Sequence, residues 1–331
     1  MISESIVVVT RETRLQGLRQ RWATASQAKF YLRQARAHEV VRRQAAPAAR
    51  RAAASQQFQE ADFSTYERED RRYQEVVQSL ERELDFGLPV KFIDRTLLPT
   101  YVFWSVVAVV VVGQDGLVAN TAKYVGDIPI VGVNPDASRF DGILLPFTLE
   151  SVRSAVGAVL ERRYRARDVT MAEVNLSDGQ RLSAFNDFFI GSRTHTSARY
   201  TLEVNGRSEP QSSSGVLVAT GAGSTGWLSS VFNMAAGVAA FLGAEITERP
   251  RLDWEDRRLL WAVREPFVSK QSSASLVAGL LDAGNELVVE SLMPSGGVIF
   301  SDGIEADALA FESGTTARIA VAKQPCRLVV R

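Results

Sequence analysis

The sequence contains very little cysteine and histidine. Among its 331 residues Cys326 is the one cysteine, and His38 and His195 are the two histidines. One cysteine excludes an internal disulfide and a multi-cysteine zinc site, and it is typical of a protein from a reducing compartment. Neither histidine has another metal-binding side chain at helical spacing, so histidine-centred catalysis is not expected.

Net charge and long apolar runs are also absent. The chain has 38 basic and 38 acidic residues, so its formal net charge is zero. This balance gives no general reason to expect a nucleic-acid or membrane partner. The longest apolar run, around residues 101–112, is far shorter than the ~20 residues that span a bilayer. A strand-like segment at residues 6–9 stands where a secretory leader would lie. We expect a soluble, cytoplasmic protein.

Charge is unevenly distributed near the start of the chain. Residues 11–51 contain eleven basic and two acidic side chains, whereas residues 52–85 contain four basic and nine acidic ones. The composition favours helix, and apolar residues repeat along one helical face. Those residues are Tyr73, Val76, Val77, Leu80 and Leu84. We predict a helical excursion over residues 11–85. A basic arm that binds nucleic acid is one interpretation; we favour solvated helices that face each other or a second subunit.

The first part of the chain has the pattern of a parallel α/β domain. Strand-like segments at residues 6–9, 90–93, 106–112 and 128–133 alternate with helix-compatible ones. The segment 106–112 is apolar at every position, which indicates a strand buried on both faces. We therefore predict a Rossmann-like α/β domain over residues 1–145, interrupted by the helical excursion.

The pattern changes after residue 145. Following one more predicted helix at 151–164, turn signals at 177–180 and 205–206 separate β-prone segments. Further strand-like segments lie at 216–219, 259–263, 287–290, 298–301, 317–322 and 327–330. We predict a β-rich, sandwich-like domain over residues 146–331, whose last strands are free to return to the first domain.

The buried segment 106–112 ends at Gly113-Gln114-Asp115-Gly116. In a parallel sheet, ligands bind beyond the carboxyl ends of the strands. Glycines let backbone N–H groups approach a phosphate closely, so Gly113 and Gly116 are candidate phosphate contacts and Asp115 is the candidate catalytic carboxylate. A tight turn with an exposed aspartate is the alternative.

Residues 221–226 match the dinucleotide fingerprint G-x-G-x-x-G. That fingerprint also requires a parallel βαβ unit with an acidic residue at the end of the next strand. Glu245 has the right spacing but does not follow a strand-like segment, and hairpin-like sequence comes next. We therefore set aside a dehydrogenase and retain a glycine-rich turn that presents N–H groups to an anion or a nucleotide.

Taken together, the motifs resemble those of the NAD kinases, and most closely the mitochondrial-type branch with its bacterial relatives. The family's G-G-D-G, G-x-N, N-E and T-P-T-G-S-T-A-Y motifs are similar to residues 113–116, 132–134, 186–187 and 220–227. Residues 10–20, 264–266 and 301–303 are also similar to that branch. The likeness lies in the joint order of short motifs, and it implies the two-domain NAD kinase fold.

The resemblance implies Mg²⁺-dependent transfer of a phosphoryl group from ATP to the 2′-hydroxyl of the adenosine ribose of NAD, giving NADP. Asp115 would then accept the hydroxyl proton or orient the hydroxyl. The remaining residues implied to bind substrate or nucleotide are Gly113, Gly116, Asn134, Asn186, Asp187, Thr220, Gly223, Ser224, Thr225, Gly226, Trp227 and Ser230. Trp227 would stack on adenosine in place of the family's tyrosine. The resemblance also implies a homo-oligomer, in particular a dimer, and no nucleic-acid or membrane partner.

Three departures from the motifs leave alternatives open. Gln114 replaces the second glycine of the first motif, Leu117 replaces the following threonine, and Asp187 replaces the longer glutamate. A catalytically weak or silent dinucleotide-binding homologue is one alternative, and a sugar or lipid kinase of the same superfamily is another. ATP versus polyphosphate as donor, and NAD versus NADH as acceptor, are not distinguished by the motifs.

Overall fold

The computed structural model describes residues 4–22, 24, 26–31, 63–246 and 248–331. These residues form two kinds of layer, a mostly parallel sheet covered by helices and a pair of antiparallel sheets. The strands of the first half are β1 (Ser5–Thr10), β2 (Val90–Asp94), β3 (Val106–Val112), β4 (Ile130–Val133), β5 (Arg165–Val169), β6 (Ala172–Leu176), β7 (Arg181–Ala184), β8 (Asp187–Ser192) and β9 (Ala198–Val204). Those of the second half are β10 (Arg207–Ser213), β11 (Val216–Ala219), β12 (Arg258–Val263), β13 (Ala278–Asp282), β14 (Leu287–Ser291), β15 (Gly297–Ser301), β16 (Ile304–Ala310), β17 (Thr316–Val321) and β18 (Cys326–Val330). The helices are α1 (Arg14–Trp22), α2 (Phe63–Glu83), α3 (Asp115–Val125), α4 (Leu149–Leu160) and α5 (Trp227–Phe241), with 3₁₀ turns at Arg95–Thr100 and Ala222–Thr225.

The parallel sheet has the strand order β2-β1-β3-β4-β18-β5, in which β5 alone runs antiparallel to its neighbour. Strand β3 is buried on both faces: Val109 and Val111 join one hydrophobic cluster, and Val110 and Val112 join the other. This confirms the interpretation of its uninterrupted apolar sequence. The last strand, β18, pairs with β4 through Leu328 and Ile130. Strands β5 and β18 thus belong to this sheet although both lie after residue 145.

Helices α2 and α4 cover one face of the parallel sheet. Tyr73, Val76 and Leu80 of α2 and Leu84 just beyond its end are buried, and Val77 packs beside them. The predicted apolar face is therefore confirmed for α2, and the helical excursion is confirmed for α1, residues 26–31 and α2. Its middle, residues 32–62, lies outside the described residues.

Helix α4 starts two residues earlier than predicted because Thr148 and Ser151 form a capping box. It ends at Leu160 rather than at 164, since Arg162 adopts a left-handed φ of 56°.

The two antiparallel sheets form a sandwich. One has the order β10-β9-β14-β17-β6-β7 and the other β13-β12-β11-β8-β15-β16. Their inner faces share one core in which Tyr200, Leu202 and Ile319 of the first sheet meet Phe188 and Trp261 of the second. The predicted fold class, a parallel α/β domain with a helical insertion and a β-sandwich-like domain, is confirmed.

Candidate active site

Helix α3 begins at the carboxyl end of β3, and Asp115 is its first residue. The side chain of Asp115 is partly exposed, and its Oδ1 accepts a hydrogen bond from the backbone N–H of Leu144 at 2.8 Å. This contact fixes the direction of the carboxylate while leaving it reachable. Asp115 is thus a pre-oriented acceptor just beyond the carboxyl end of β3, and its catalytic role stays a prediction.

Gly132 and Asn134 shape the loop that carries Leu144. A Cβ on Gly132 would lie 2.1 Å from the carbonyl oxygen of Leu144, so this close approach requires glycine. The amide of Asn134 donates to the Phe140 carbonyl at 2.9 Å and accepts the Asp136 N–H at 3.0 Å. Both functions of the Asn134 amide are therefore used within its own loop, so a contact of Asn134 with nucleotide stays a prediction.

The two glycines of the first motif have different surroundings. A Cβ on Gly113 would lie 3.1 Å from Leu117 and 3.4 Å from Arg11, whereas nothing lies within 4 Å of a Cβ on Gly116. Gly116 is exposed at the N-terminal end of α3, where helix N–H groups are free for an anion. Leu117 is buried in the core, so it does not block that approach, and Gln114 precedes the helix without capping it.

Arg11, which follows β1, lies beside this loop, and the motif analysis did not assign it a role. Its guanidinium donates to Glu69 of α2 at 3.1 Å and lies over the ring of Tyr73. The Tyr73 hydroxyl accepts the Arg11 N–H and donates to the carbonyl of Val112, the last residue of β3. Burial raises the pKa of Tyr73 to about 12, which keeps the hydroxyl neutral as this bridge requires. The structure therefore fixes the positively charged guanidinium of Arg11 beside Gly113.

Asn186 lies between β7 and β8, Asp187 is the first residue of β8, and the second glycine-rich turn packs against this segment. The Asn186 carbonyl accepts the Thr220 N–H at 2.9 Å, and the Thr220 hydroxyl donates to the Phe185 carbonyl at 2.5 Å. A Cβ on Gly223 would lie 2.0 Å from the Asn186 carbonyl oxygen. Thr220 and Gly223 therefore hold the backbone that carries Asn186 and Asp187. Ser224 is buried and donates to the Gly221 carbonyl, so its hydroxyl supports the same turn.

Thr225 and Gly226 lie at the end of the turn, Ser230 lies in the first turn of α5, and all three are exposed. Strand β11, which precedes the turn, pairs antiparallel with β8 and β12, which confirms that the G-x-G-x-x-G match is not part of a βαβ unit.

Trp227 is the first residue of α5 and part of an aromatic stack. Its ring lies 5.5 Å from that of Phe189 at an interplanar angle of 11°, with Phe300 next to both. The Arg264 guanidinium lies 5.2 Å from the centre of the Trp227 ring. These side chains line a cavity of about 900 Å³. Asp115, Asn186 and Asp187 do not line it, so the structure does not bring Trp227 into one pocket with them.

The turn between β15 and β16 contains Asp302, whose partners could not be inferred from sequence. Its carboxylate accepts the backbone N–H groups of Phe185, Asn186 and Asp187 at 3.0, 2.6 and 3.3 Å. The one sequence signal was the likeness of residues 301–303 to the mitochondrial-type branch. Asp302 supports the predicted dinucleotide residues from the side opposite to Thr220.

Helix α3 also connects to the sandwich through its other end. The fully buried Lys123 forms a 2.6 Å ion pair with Asp307 of β16, and the Tyr124 hydroxyl donates to the same carboxylate oxygen. Nearer the start of α3, Leu117 and Ala122 share a hydrophobic cluster with Phe185 and Ala222. The helix that begins at Asp115 is thus packed against both segments that carry the predicted dinucleotide residues.

The fold can be compared with known structures. It is similar to yeast NADH kinase complexed with NADH, at 14% identity over 99% of this chain and 84% of the other, with a TM-score of 0.54. It is also similar to an NAD kinase from Archaeoglobus fulgidus in complex with ATP, at 18% identity over 77% of this chain and 89% of the other, with a TM-score of 0.51. The chain has the NAD kinase fold. No protein-family model and no curated protein sequence matches it, so assignment to the mitochondrial-type branch stays a prediction.

The described residues contain neither a membrane-spanning helix nor a cluster of metal-binding side chains. No helix there combines the length and the apolar character needed to cross a bilayer. Nor do three or more histidine, cysteine, aspartate or glutamate side chains converge there into a possible metal site.

Proposed function

We propose that this chain is an NAD kinase, which transfers the γ-phosphoryl group of ATP to the 2′-hydroxyl of the adenosine ribose of NAD. The observation that carries the proposal is the oriented Asp115 carboxylate on a helix packed against the Asn186-Asp187 segment and the 220–226 turn. A reactive carboxylate, an exposed helix N-terminus and a dinucleotide-binding segment are the parts that this reaction needs.

In the proposed reaction the ribose oxygen attacks the γ-phosphorus. The new O–P bond forms as the bond from the γ-phosphorus to the β,γ-bridging oxygen breaks, and ADP leaves with that electron pair. The hydroxyl proton passes to Asp115, which is held by Leu144 in the required direction. Phosphoryl transfer depends mainly on positioning and charge stabilisation. The free N–H groups at the start of α3 and the nearby Arg11 guanidinium would position the phosphoryl group and stabilise its negative charge.

A magnesium ion would enter with the nucleotide. Mg²⁺ keeps several waters and is commonly bound by one or two carboxylates together with substrate phosphates. Asp115, a partly exposed carboxylate at the start of α3, would lie beside the ion, and phosphate oxygens and waters would fill the other positions. When bound, the ion would neutralise charge on the transferred phosphoryl group.

Asn186 and Asp187 would recognise the dinucleotide acceptor. An amide offers both donors and an acceptor, and a carboxyl group can pair with ribose hydroxyls. Asn186 is held by Thr220 on one side and by Asp302 on the other, and Asp302 also accepts the N–H of Asp187. This rigid support favours one fixed acceptor geometry, which is how a kinase selects one hydroxyl among several.

We also propose that the protein self-associates through α5. Although this helix is apolar along most of its length, Leu228 is its one buried residue, and Met234, Val238, Phe241 and the adjoining Leu242 are exposed. An apolar helix of this size on the surface is typical of an interface. Because the resemblance to the NAD kinases implies a homo-oligomer, the occupant that we propose is α5 of a second copy.

A kinase assay tests the proposed activity. Wild type, Asp115→Asn and, as a matched control, Asp127→Asn are incubated with ATP, Mg²⁺ and NAD, and NADP is measured. Asp127 is exposed and follows the opposite end of α3, so its variant is expected to retain wild-type turnover. Removing the proton acceptor should lower kcat by about 10²-fold or more.

Equal NADP formation by Asp115→Asn and wild type would remove Asp115 from its role. NAD binding by wild type without turnover would indicate a silent homologue. Turnover of a sugar or lipid in an acceptor panel, with no NADP formed, would indicate another kinase of the superfamily.

A further inference from the structure

The turn Ser301-Asp302-Gly303 does more than connect β15 to β16. Asp302 and Gly303 have φ values of 55° and 70°, as a two-residue hairpin turn requires. Asparagine or glycine would satisfy that turn equally well. The carboxylate, however, accepts three consecutive N–H groups, from Phe185 to Asp187, and the Asp302 N–H donates to the Asp187 carbonyl at 3.0 Å. The second function of Asp302 is therefore to hold the segment that leads into β8.

The hydrogen bonds favour ionisation of Asp302 over ionisation of Asp187. Asp302 receives three N–H donors, which favour its ionised form. Asp187 is 7% exposed, and we find no hydrogen bond to its carboxyl group among the described residues. Two carboxyl groups in one buried region cannot both ionise at low cost. Asp187 is the member of the pair that retains a proton more readily.

The surrounding charged groups also favour loss of the proton from Asp302 before loss of the proton from Asp187. Lys123 of α3 acts on Asp302 and lowers its pKa, although burial, the larger effect, raises that pKa to about 6. Lys123 itself is paired with Asp307 of β16, which also binds Tyr124. Burial first, and then the charge of Asp302, raise the pKa of Asp187 to about 7.

We propose that Asp302 is a positioning residue which fixes Asn186 and Asp187 for the dinucleotide and makes acceptor binding depend on the ionisation of Asp187. This inference rests on the proposed function, because it concerns the same binding segment. An ionised carboxylate accepts hydrogen bonds from ribose hydroxyls about twice as strongly as a neutral one. NAD should therefore bind more tightly as pH rises through the titration of Asp187.

The test is NAD binding by calorimetry between pH 5.5 and 8.5, without ATP, for wild type, Asp302→Asn and Asp187→Asn. Wild-type affinity should rise with a midpoint near pH 7. Asp302→Asn removes one negative charge and one acceptor oxygen. Its affinity at high pH should fall about tenfold, and its midpoint should move down by about one pH unit. Asp187→Asn should lose the rise in affinity that is centred near pH 7.

The midpoint separates positioning from a merely structural role. A structural defect in Asp302→Asn would weaken binding at every pH and leave the midpoint in place, and that result would overturn the proposal. Wild-type affinity that is independent of pH would overturn it as well.

A second measurement does not depend on nucleotide. The folded protein keeps the Asp187 proton at pH values where the unfolded chain has lost it, so urea stability should fall as pH rises from about 4 to 7. Asp187→Asn should flatten this fall, and Asp302→Asn should move it to lower pH. Absence of NAD binding together with these stability shifts would reject the proposed function and retain the coupling of the two aspartates. Unchanged stability profiles would reject the coupling.

Discussion

At the scale of single residues, the candidate site depends on where the backbone comes close to itself. Gly132 of β4 and Gly116 of α3 are both glycines of the sequence motifs. Gly132 allows the Leu144 carbonyl to approach, whereas Gly116 faces open space. Glycine therefore permits close backbone packing at position 132 and leaves open space in front of the backbone at position 116.

This difference gives a matched pair of variants. Gly132→Ala should destabilise the protein by about 1–3 kcal/mol, because its methyl group would overlap the Leu144 carbonyl. Gly116→Ala should leave stability unchanged or raise it by up to about 1 kcal/mol, since it removes a glycine from a helix. Urea unfolding measures both. Equal stabilities for the two variants would contradict the contrast, and a loss of kinase activity in Gly116→Ala alone would indicate that phosphate approaches there.

Sequence alone indicated Asp115, Asn186 and Asp187 but not the residues that support them. Asp302 lies 115 to 117 positions from its three N–H partners, and Arg11 lies 58 positions from Glu69. No local period or spacing connects residues so far apart in the chain. Both were within segments that resemble the family, yet their contacts depend on tertiary structure that one sequence does not encode locally.

At the scale of elements, α3 links Asp115 to the sandwich. Asp115 stands at its first turn and Lys123 near its last, and Lys123 pairs with Asp307 of β16. A buried charge that loses its partner is strongly unfavourable. The orientation of α3 against the sandwich therefore depends on this ion pair.

Lys123→Met should lower the free energy of unfolding by about 3–5 kcal/mol, because Asp307 would remain as an unpaired, largely buried charge. The double variant Lys123→Met with Asp307→Asn should recover much of that loss, since the charge is gone while Tyr124 keeps an acceptor. Urea unfolding gives both values. As a control, Arg318→Ala breaks an exposed pair with Glu286 and should cost at most about 1 kcal/mol. A Lys123→Met loss as small as the control would show that the pair is dispensable.

Helices and strands whose buried positions carry a regular pattern of apolar residues were predictable from the sequence. Strands without buried apolar residues were not. Strand β3 and helix α2 follow directly from their sequences, since the buried positions of β3 are all apolar and those of α2 are apolar except for Glu69. Strand β16 contains no fully buried residue, and it was not among the predicted strands. Pairing with β15, rather than burial, makes it a strand.

At the scale of the whole molecule, the exposed face of α5 predicts the oligomeric state. We expect wild type to be a dimer by sedimentation velocity, and Phe241→Glu to weaken association at least tenfold, because Phe241 is 88% exposed on an apolar helix. Val102→Glu, at a 74% exposed position on the parallel-sheet domain, is the control and should remain dimeric. A monomeric wild type, or dissociation of the control alone, would contradict an α5 interface.

The position of β18 has a consequence for biosynthesis. This strand is synthesised after all strands of the sandwich, yet it lies between β4 and β5 in the parallel sheet. Domains commonly fold during synthesis from the N-terminal side, but here the sheet that carries Asp115 cannot close until translation has passed the entire sandwich. The nascent chain must therefore hold an open edge on β4 meanwhile, and nonsense or frameshift products lacking residues 326–330 would expose that edge permanently.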